Sequence, residues 1–559
     1  PLVVIAHSLF PAPAFAGDEQ SKLLRTVSQQ HYGTESKHWS GSNLTTPKVA
    51  TQVRVWPQYR MSYTEKTIWV QNSAQWGSQE ALYTFHLPEG SAVSALSLWV
   101  NGREEPARLT TQAKADSAYK QIVGVESRVA ERDPSVVTWQ EGNRITIRVF
   151  PVPAKQDRQV KIGITSPLRI DGKILTYQNP WFEGPDASQA KEALKLTVDG
   201  APADLELNGI SGSLINHELT QHGQYQPDWS IQMTAPPLSP EPFRLDGKAY
   251  QVASYVLVKQ PFTPTDLYLD INETWNETEV NKIVELADRQ HISHVWVFRD
   301  GLEAVTKTNR PLLVESLTKQ RFSLFPIYRI AAPETALFIT KGTPNGPTLT
   351  DLDSSSFANR LAAKATYLTA PIRTYSLNNE LPPYLKTLTE LRVLYTVTGD
   401  LNQLEQLLTN HQFNADTATD DQVVIASSGM VIRQTTTDST AAEQSTQLAS
   451  LAPDHLLRLF TYNQLMQRVG RQYFDKTYRN NAALAAIAQT GHVVSPVSSL
   501  VVLETQEDYK RFGIEADKKG LDNATLNQDG AVPEPHEWAM MLLIAILVGW
   551  FYVRPRLLV

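Results

Sequence analysis

Two stretches decide the fold of the first half of the chain: residues 85–123, FHLPEGSAVSALSLWVNGREEPARLTTQAKADSAYKQIV, and residues 144–168, RITIRVFPVPAKQDRQVKIGITSPL. Leu96, Leu98 and Val100 alternate with Ser97 and Trp99, and Ile145, Ile147 and Val149 alternate with Thr146 and Arg148. Apolar residues at a period of two make half-buried strands. Asn101-Gly102 and Asp171-Gly172 are dipeptides that tolerate the positive φ of a tight hairpin. One segment breaks the alternation: Ala115, Ala118, Tyr119 and Ile122 fall on a single helical face. The runs LKLTVDG, LELNGI and WSIQM between 191 and 233 extend the same β character. A strand-rich β-domain is therefore predicted over 48–245, ending at the proline-rich PPLSPEPF, where pre-proline restriction keeps the backbone extended.

Beyond that boundary the pattern changes. YVLV (255–258) and DLYLDIN (266–272) read as apolar strands, and Val280, Ile283, Val284 and Ala287 share one helical face. Asn276 with Glu279 three residues later forms a capping-box signature at that helix start. HVWVF is the next strand, RPLLVESLTKQ the next helix and SLFPIY a third strand. Strands alternating with helices point to parallel βαβ units, so an α/β domain is predicted over 246–450. It contains a helix near 356–367 and strands near 391–397 and 423–425. A helical segment and a closing strand are predicted over 451–515. Asp454 is placed to cap a long helix reaching about 474, a second helix runs over 482–489 with Gly491 as its stop, and HVVSPVSSLVVLE reads as the closing strand. A polar linker fills 516–532.

Composition bounds the function. The 559 residues carry net charge −7 with no lysine-arginine cluster, which makes nucleic acid an unexpected partner. The absence of cysteine excludes disulfides, thiolate metal sites and a cysteine nucleophile.

The N-terminal domain resembles the vault protein/inter-alpha-trypsin (VIT) domain. The resemblance rests on Leu87-Pro88, Gly90, Val93, Gly102, Ala115, Tyr119 and the proline step Phe150-Pro151-Val152-Pro153. It implies a β-sandwich with an interaction role and no catalytic residues. In that family a von Willebrand factor type A domain commonly follows, and the run Val494-Ser495-Pro496, Ser499, Val501-Val502-Leu503-Glu504 is similar to its late closing strand. A divergent type A-like domain is the expectation for the α/β part.

Residues 532–559, VPEPHEWAMMLLIAILVGWFYVRPRLLV, close the chain. An uncharged apolar run from Ala539 to Val553 lies between Trp538 and the pair Arg554 and Arg556. At ~1.5 Å per residue this run spans roughly 22 Å, short of the ~30 Å hydrocarbon core unless Trp538 and snorkelling arginines extend it. A buried core helix is the alternative reading. Basic residues favour the cytoplasmic side, which puts the body outside. The tail, with Pro533-Glu534-Pro535 ahead of it, resembles the bacterial PEP-CTERM sorting signal. That resemblance implies exosortase as a partner, a membrane anchor and a bacterial envelope location. At the other end, residues 1–16 end in PAPAFA and read as the remnant of a signal peptide or of a transmembrane helix, followed by a leader over 17–47. The fold class expected is thus multidomain: a VIT-like β-sandwich, an α/β type A-like domain, a helical segment and a C-terminal transmembrane helix.

Chemistry concentrates at Asp270-Ile271-Asn272-Glu273-Thr274. Type A domains hold Mg²⁺ with Asp-x-Ser-x-Ser at this place. Asp270, Asn272 and Thr274 still offer oxygens, so a degenerate site for weak Mg²⁺ or Ca²⁺ is expected, with no resident cofactor. The same residues suit an Asx turn at a strand end. Asp300 is the candidate later acid, and a metal-dependent envelope hydrolase built on Asp270 and Asp300 is an alternative function. His291 and His294 have no further ligand in view and read as turn residues. With no phosphate loop, nucleophile elbow or His-Glu-x-x-His, an enzyme is not expected. The main expectation is an exported, membrane-held scaffold that binds an unknown envelope protein. A permanent multi-pass membrane protein with an uncleaved tail is the third reading.

Overall fold

The computed structural model describes residues 41, 43–100, 102–124, 134–200, 202–299, 301–321, 324–343, 346–353, 355–378, 381–436, 452–514 and 520–526. The chain divides into two units, 1–523 and 524–559. Only 524–526 are described in the second unit, so the apolar tail with its Pro-Glu-Pro motif and flanking Trp538, Arg554 and Arg556 lies outside the described residues. Among the described residues no helix is long and apolar enough to cross a membrane.

The β-domain is built on three sheets. A seven-stranded sheet has the order Glu218–Gln224, Lys191–Val198, Leu44–Trp56, Met61–Asn72, Asp157–Pro167, Ala92–Val100, Arg103–Pro106. Its neighbours are antiparallel except Leu44–Trp56 beside Lys191–Val198. A four-stranded sheet (Arg169–Asp171, Ile174–Gln178, Ser230–Thr234, Glu206–Asn208) lies against its inner face. Val53, Val55, Leu194 and Leu196 of one sheet and Leu175, Tyr177, Ile231 and Met233 of the other share one core. Burying the apolar face of each sheet against the other is what a period-two pattern requires. The hairpins anticipated at Gly102 and Gly172 form, both glycines having positive φ.

The third sheet of this half is six-stranded: Trp181–Glu183, Gln79–His86, Arg144–Val152, Ser135–Gln140, Ser498–Val502, Arg108–Thr111. Ser498–Val502 is antiparallel to both its neighbours. The late strand thus completes the N-terminal domain, not the α/β one. Helix Gln112–Gly124 buries Ala115, Ala118, Tyr119 and Ile122, the face read from the sequence.

The α/β sheet has the order Leu302–Ala304, His294–Phe298, Asp266–Asp270, Ala336–Thr340, Ile372–Ser376, Leu394–Thr398. In chain order this is 3-2-1-4-5-6, with the third strand antiparallel and the rest parallel. Helices Glu277–Arg289, Arg310–Leu317 and Leu401–Thr409 pack on one face through Val280, Ile283, Leu313 and Leu404. Ser356–Tyr367 and Pro383–Glu390 cover the other through Phe357, Leu361, Tyr384 and Leu385. Covering both faces is what buries a central strand such as Ala336–Thr340 along its whole length. The capping box at Asn276 and Glu279 forms with both of its hydrogen bonds.

Several element readings are corrected. YVLV is not a strand: the ladder is Lys248–Ser254, and Val256, Leu257 and Val258 are 73%, 47% and 46% exposed on a connecting segment. The third parallel strand is Ala336–Thr340; the run around Phe325-Pro326 makes a 3-10 turn at Ile327–Arg329 instead, since proline supplies no ladder N–H. The strand Gln422–Ile425 belongs to a separate four-stranded sheet with Phe243–Leu245, Lys248–Ser254 and Met430–Thr436. The long helix is His455–Val469, broken at Gly470 before a short helix Gln472–Asp475. Asp454 makes no capping bond there; its carboxylate instead pairs with Arg458. Helix Ala482–Gly491 includes Gly491, and the left-handed stop is His492. Gly491 is required for a different reason: a Cβ there would lie 2.6 Å from the Thr461 side chain of the helix alongside.

Helix His455–Val469 is the keystone of unit 1. Twelve of its residues are buried. His455 stacks on Tyr63, its Nδ1 lying 2.8 Å from the Thr165 hydroxyl, and Phe460 packs on Tyr250. Asn463 donates to the Gly90 carbonyl, and Tyr462 donates to Glu390 of the α/β domain.

Candidate functional site

In an open α/β sheet the ligand crevice lies outside the carboxyl ends of the strands, where the strand order reverses. Here that point falls between Asp270 and Thr340, the paired last residues of the two central strands. The helix after the first leaves on one face and the helix after the second on the other. The sequence motif therefore sits where the topology places a site.

The structure brings Asp270, Asn272 and Thr274 together. Asp270 is 5% exposed and Asn272 and Thr340 are fully buried. The Thr340 hydroxyl donates to Asp270 Oδ2 at 2.8 Å and accepts from the Gly342 N–H at 3.1 Å. Asn272 closes an Asx turn: its Oδ1 accepts from the Thr274 N–H at 3.0 Å and lies 2.6 Å from the Thr274 hydroxyl. That hydroxyl also lies 2.9 Å from the Lys341 carbonyl oxygen. The Lys341 ammonium donates to both oxygens of Glu279 at 2.7 and 2.9 Å. The same Glu279 accepts from the Asn276 N–H in the capping box.

These donors do not fit a resident metal. Mg²⁺ takes near-ideal octahedral oxygen geometry and usually one or two carboxylates. Here the Asp270 carboxylate accepts a hydrogen bond from the Thr340 hydroxyl, and the neutral oxygens are already engaged with one another. Among the described residues no group of three or more His, Asp or Glu could hold a metal ion. Asp300 lies outside the described residues. The histidines stand elsewhere. His291 takes a left-handed conformation just past the end of helix Glu277–Arg289. His294 Nδ1 lies 3.0 Å from Asp266 Oδ1, at the amino end of the central strand, away from the crevice. Burial pushes the Asp266 carboxyl up, but hydrogen bonds from Trp296, Thr265 and His294 outweigh it and hold the pKa below the ordinary value.

Sequence reading missed two features. Thr340 ends, and Lys341 follows, a strand that was not recognised. The second is a pair of buried carboxylates where the β- and α/β domains meet. Glu141, at a hairpin tip, accepts from the Tyr473 hydroxyl at 2.6 Å and the Thr350 N–H at 3.1 Å. Glu390 accepts from the Tyr462 hydroxyl at 2.8 Å, which in turn accepts from Trp139 Nε1 at 3.2 Å. Burial raises the pKa of both carboxyls, that of Glu390 to about 8. Nothing in the local sequence marks them, because their partners lie 72 to 332 residues away. Each carboxylate has its tyrosine hydroxyl, and the bonds from Thr350 to Glu141 and from Trp139 through Tyr462 to Glu390 join the two domains.

Comparison with known proteins agrees with the β-domain. Residues 49–164 match the vault protein inter-alpha-trypsin domain, so a VIT domain occupies about a fifth of the chain. No curated protein matches. Among solved structures the chain is similar to a proposed nutrient binding protein from Legionella pneumophila, at 10% identity over 34% of this chain and 67% of that one. The TM-score is 0.21, too low to establish a shared fold.

Proposed function

We propose that this chain is a non-enzymatic interaction scaffold of the bacterial envelope, exported and held at the membrane by its apolar tail. The observation that carries the scaffold reading is the VIT domain at 49–164 joined to an α/β sheet whose switch-point oxygens are satisfied internally. Among the described residues the oxygens of the crevice are engaged with one another, which disfavours the Asp270/Asp300 hydrolase. The order of strands and the placement of Asp270 support a divergent type A-like domain.

The order Pro-Glu-Pro, apolar run, arginines supports sorting by exosortase, with the body extracytoplasmic and an envelope protein as its partner. Proline on both sides of Glu534 is a sequence that disfavours helix formation, as expected of a motif read by a protease. In a strain with exosortase the mature protein should lack the apolar tail, and replacing Pro533 and Pro535 with Ala should leave it attached. Identical intact mass with and without exosortase would sink the sorting reading and favour a permanent anchor.

A further inference from the structure

The VIT match ends at residue 164, yet the second sheet of that domain is not complete there. Its slot between Arg108–Thr111 and Ser135–Gln140 is filled by Ser498–Val502, a strand that arrives more than 330 residues later. Leu500 pairs with Leu109 on one side and with Val137 on the other. All five residues of the strand are buried, so it is a central strand and not an edge addition. Without it, Arg108–Thr111 has no neighbour in its sheet and Ser135–Gln140 becomes an exposed edge.

The segment around the strand is fitted to the same slot. Val501, Leu503, Tyr509 and Ile514 share a core with Ala115, Ala118, Tyr119 and Ile122 of the VIT helix and with Val136. The Val494 N–H donates to the Val93 carbonyl and the Gln112 N–H to the Val497 carbonyl, at 2.9 and 3.0 Å. Arg108 lies over the Tyr509 ring at 3.9 Å and donates to the Ile514 carbonyl at 3.2 Å. Lys114 donates to the Gly513 carbonyl at 2.9 Å. Backbone pairing, apolar pockets and flanking cations thus all address one peptide, the combination by which strand addition gains affinity and specificity.

We infer that the VIT domain is a strand acceptor: residues 493–514 are a complementing strap, and the slot they fill is a peptide-binding site for an extended apolar strand of this sequence. The domain is therefore not an independent folding unit. It closes only when the C-terminal strap reaches it.

The test uses the full chain carrying Leu500→Pro, which removes a ladder N–H from a strand paired on both sides, and a fluorescein-labelled peptide of residues 493–514. The variant should bind the peptide saturably, while the wild-type chain and a scrambled peptide should give no binding. Absence of binding by a variant whose strand Ala336–Thr340 keeps native amide protection would overturn the inference. Should Leu500→Pro give no soluble protein, Val501→Ala supplies the reading by hydrogen exchange. Loss of buried methyl groups should then speed exchange at Arg108–Thr111 and Ser135–Gln140 by roughly tenfold or more, with Ala336–Thr340 unchanged. Equal loosening of all three, or no loosening at the first two, would refute it.

Discussion

Thr340 and Asp270 end the two central strands of the α/β sheet, and the Thr340 hydroxyl donates to Asp270 Oδ2 at 2.8 Å. This bond engages one oxygen of the Asp270 carboxylate. Calorimetry with Mg²⁺, Mn²⁺ and Ca²⁺ should accordingly show no binding tighter than the millimolar range. Asp270→Ala should cost about what a lost cap or turn costs, ~0.5–2 kcal/mol. Micromolar binding abolished by Asp270→Ala would make metal-dependent adhesion the leading account.

Asp454 and Arg458 form a buried ion pair, 4% and 1% exposed, with Nε and Nη2 of the guanidinium 3.1 and 2.6 Å from Asp454 Oδ2. Arg458 also donates to the carbonyls of Gly491 and Asp522, so it ties the keystone helix to the chain that follows. Asp454→Asn leaves a buried cation uncompensated and should lower unfolding free energy by ~3–5 kcal/mol in denaturant titration. A change under about 1 kcal/mol would mean that the pair behaves as an exposed one.

Stability should also depend on pH in two windows. Burial lifts the Glu390 carboxyl from an ordinary 4.5 to about 8. The folded state then holds a proton that the unfolded chain releases, so this contribution is complete below 4.5 and is lost as pH rises through 8. Burial lowers the His455 imidazole from 6.5 to about 4. There the unfolded chain binds more protons, so stability falls as pH drops from 6.5 towards 4. Glu390→Gln keeps an oxygen for the Tyr462 hydroxyl and should flatten the alkaline limb while leaving the acid limb intact. An unchanged alkaline limb in thermal melts across pH would contradict the assignment.

Strands with strict alternation, such as Arg144–Val152, and helices with both a cap and a face, such as Glu277–Arg289, were legible because their signals are local. Ala336–Thr340 was not: five buried residues carry no period, and the neighbouring Phe325-Pro326 run is equally apolar. YVLV misled in the opposite sense, as an apolar run left exposed on a connection. The closing strand was legible as a strand, but its address was not, since sheet partners hundreds of residues away leave no local trace. The motif at Asp270 was found, whereas its occupation by Thr340 depended on the strand that was missed.

The placement of the body outside the cytoplasm is the claim on which the scaffold reading depends, and protease accessibility measures it most directly. Protease added to intact spheroplasts should digest the region around residues 50–500. Full protection of that region, with digestion only after lysis, would contradict the account.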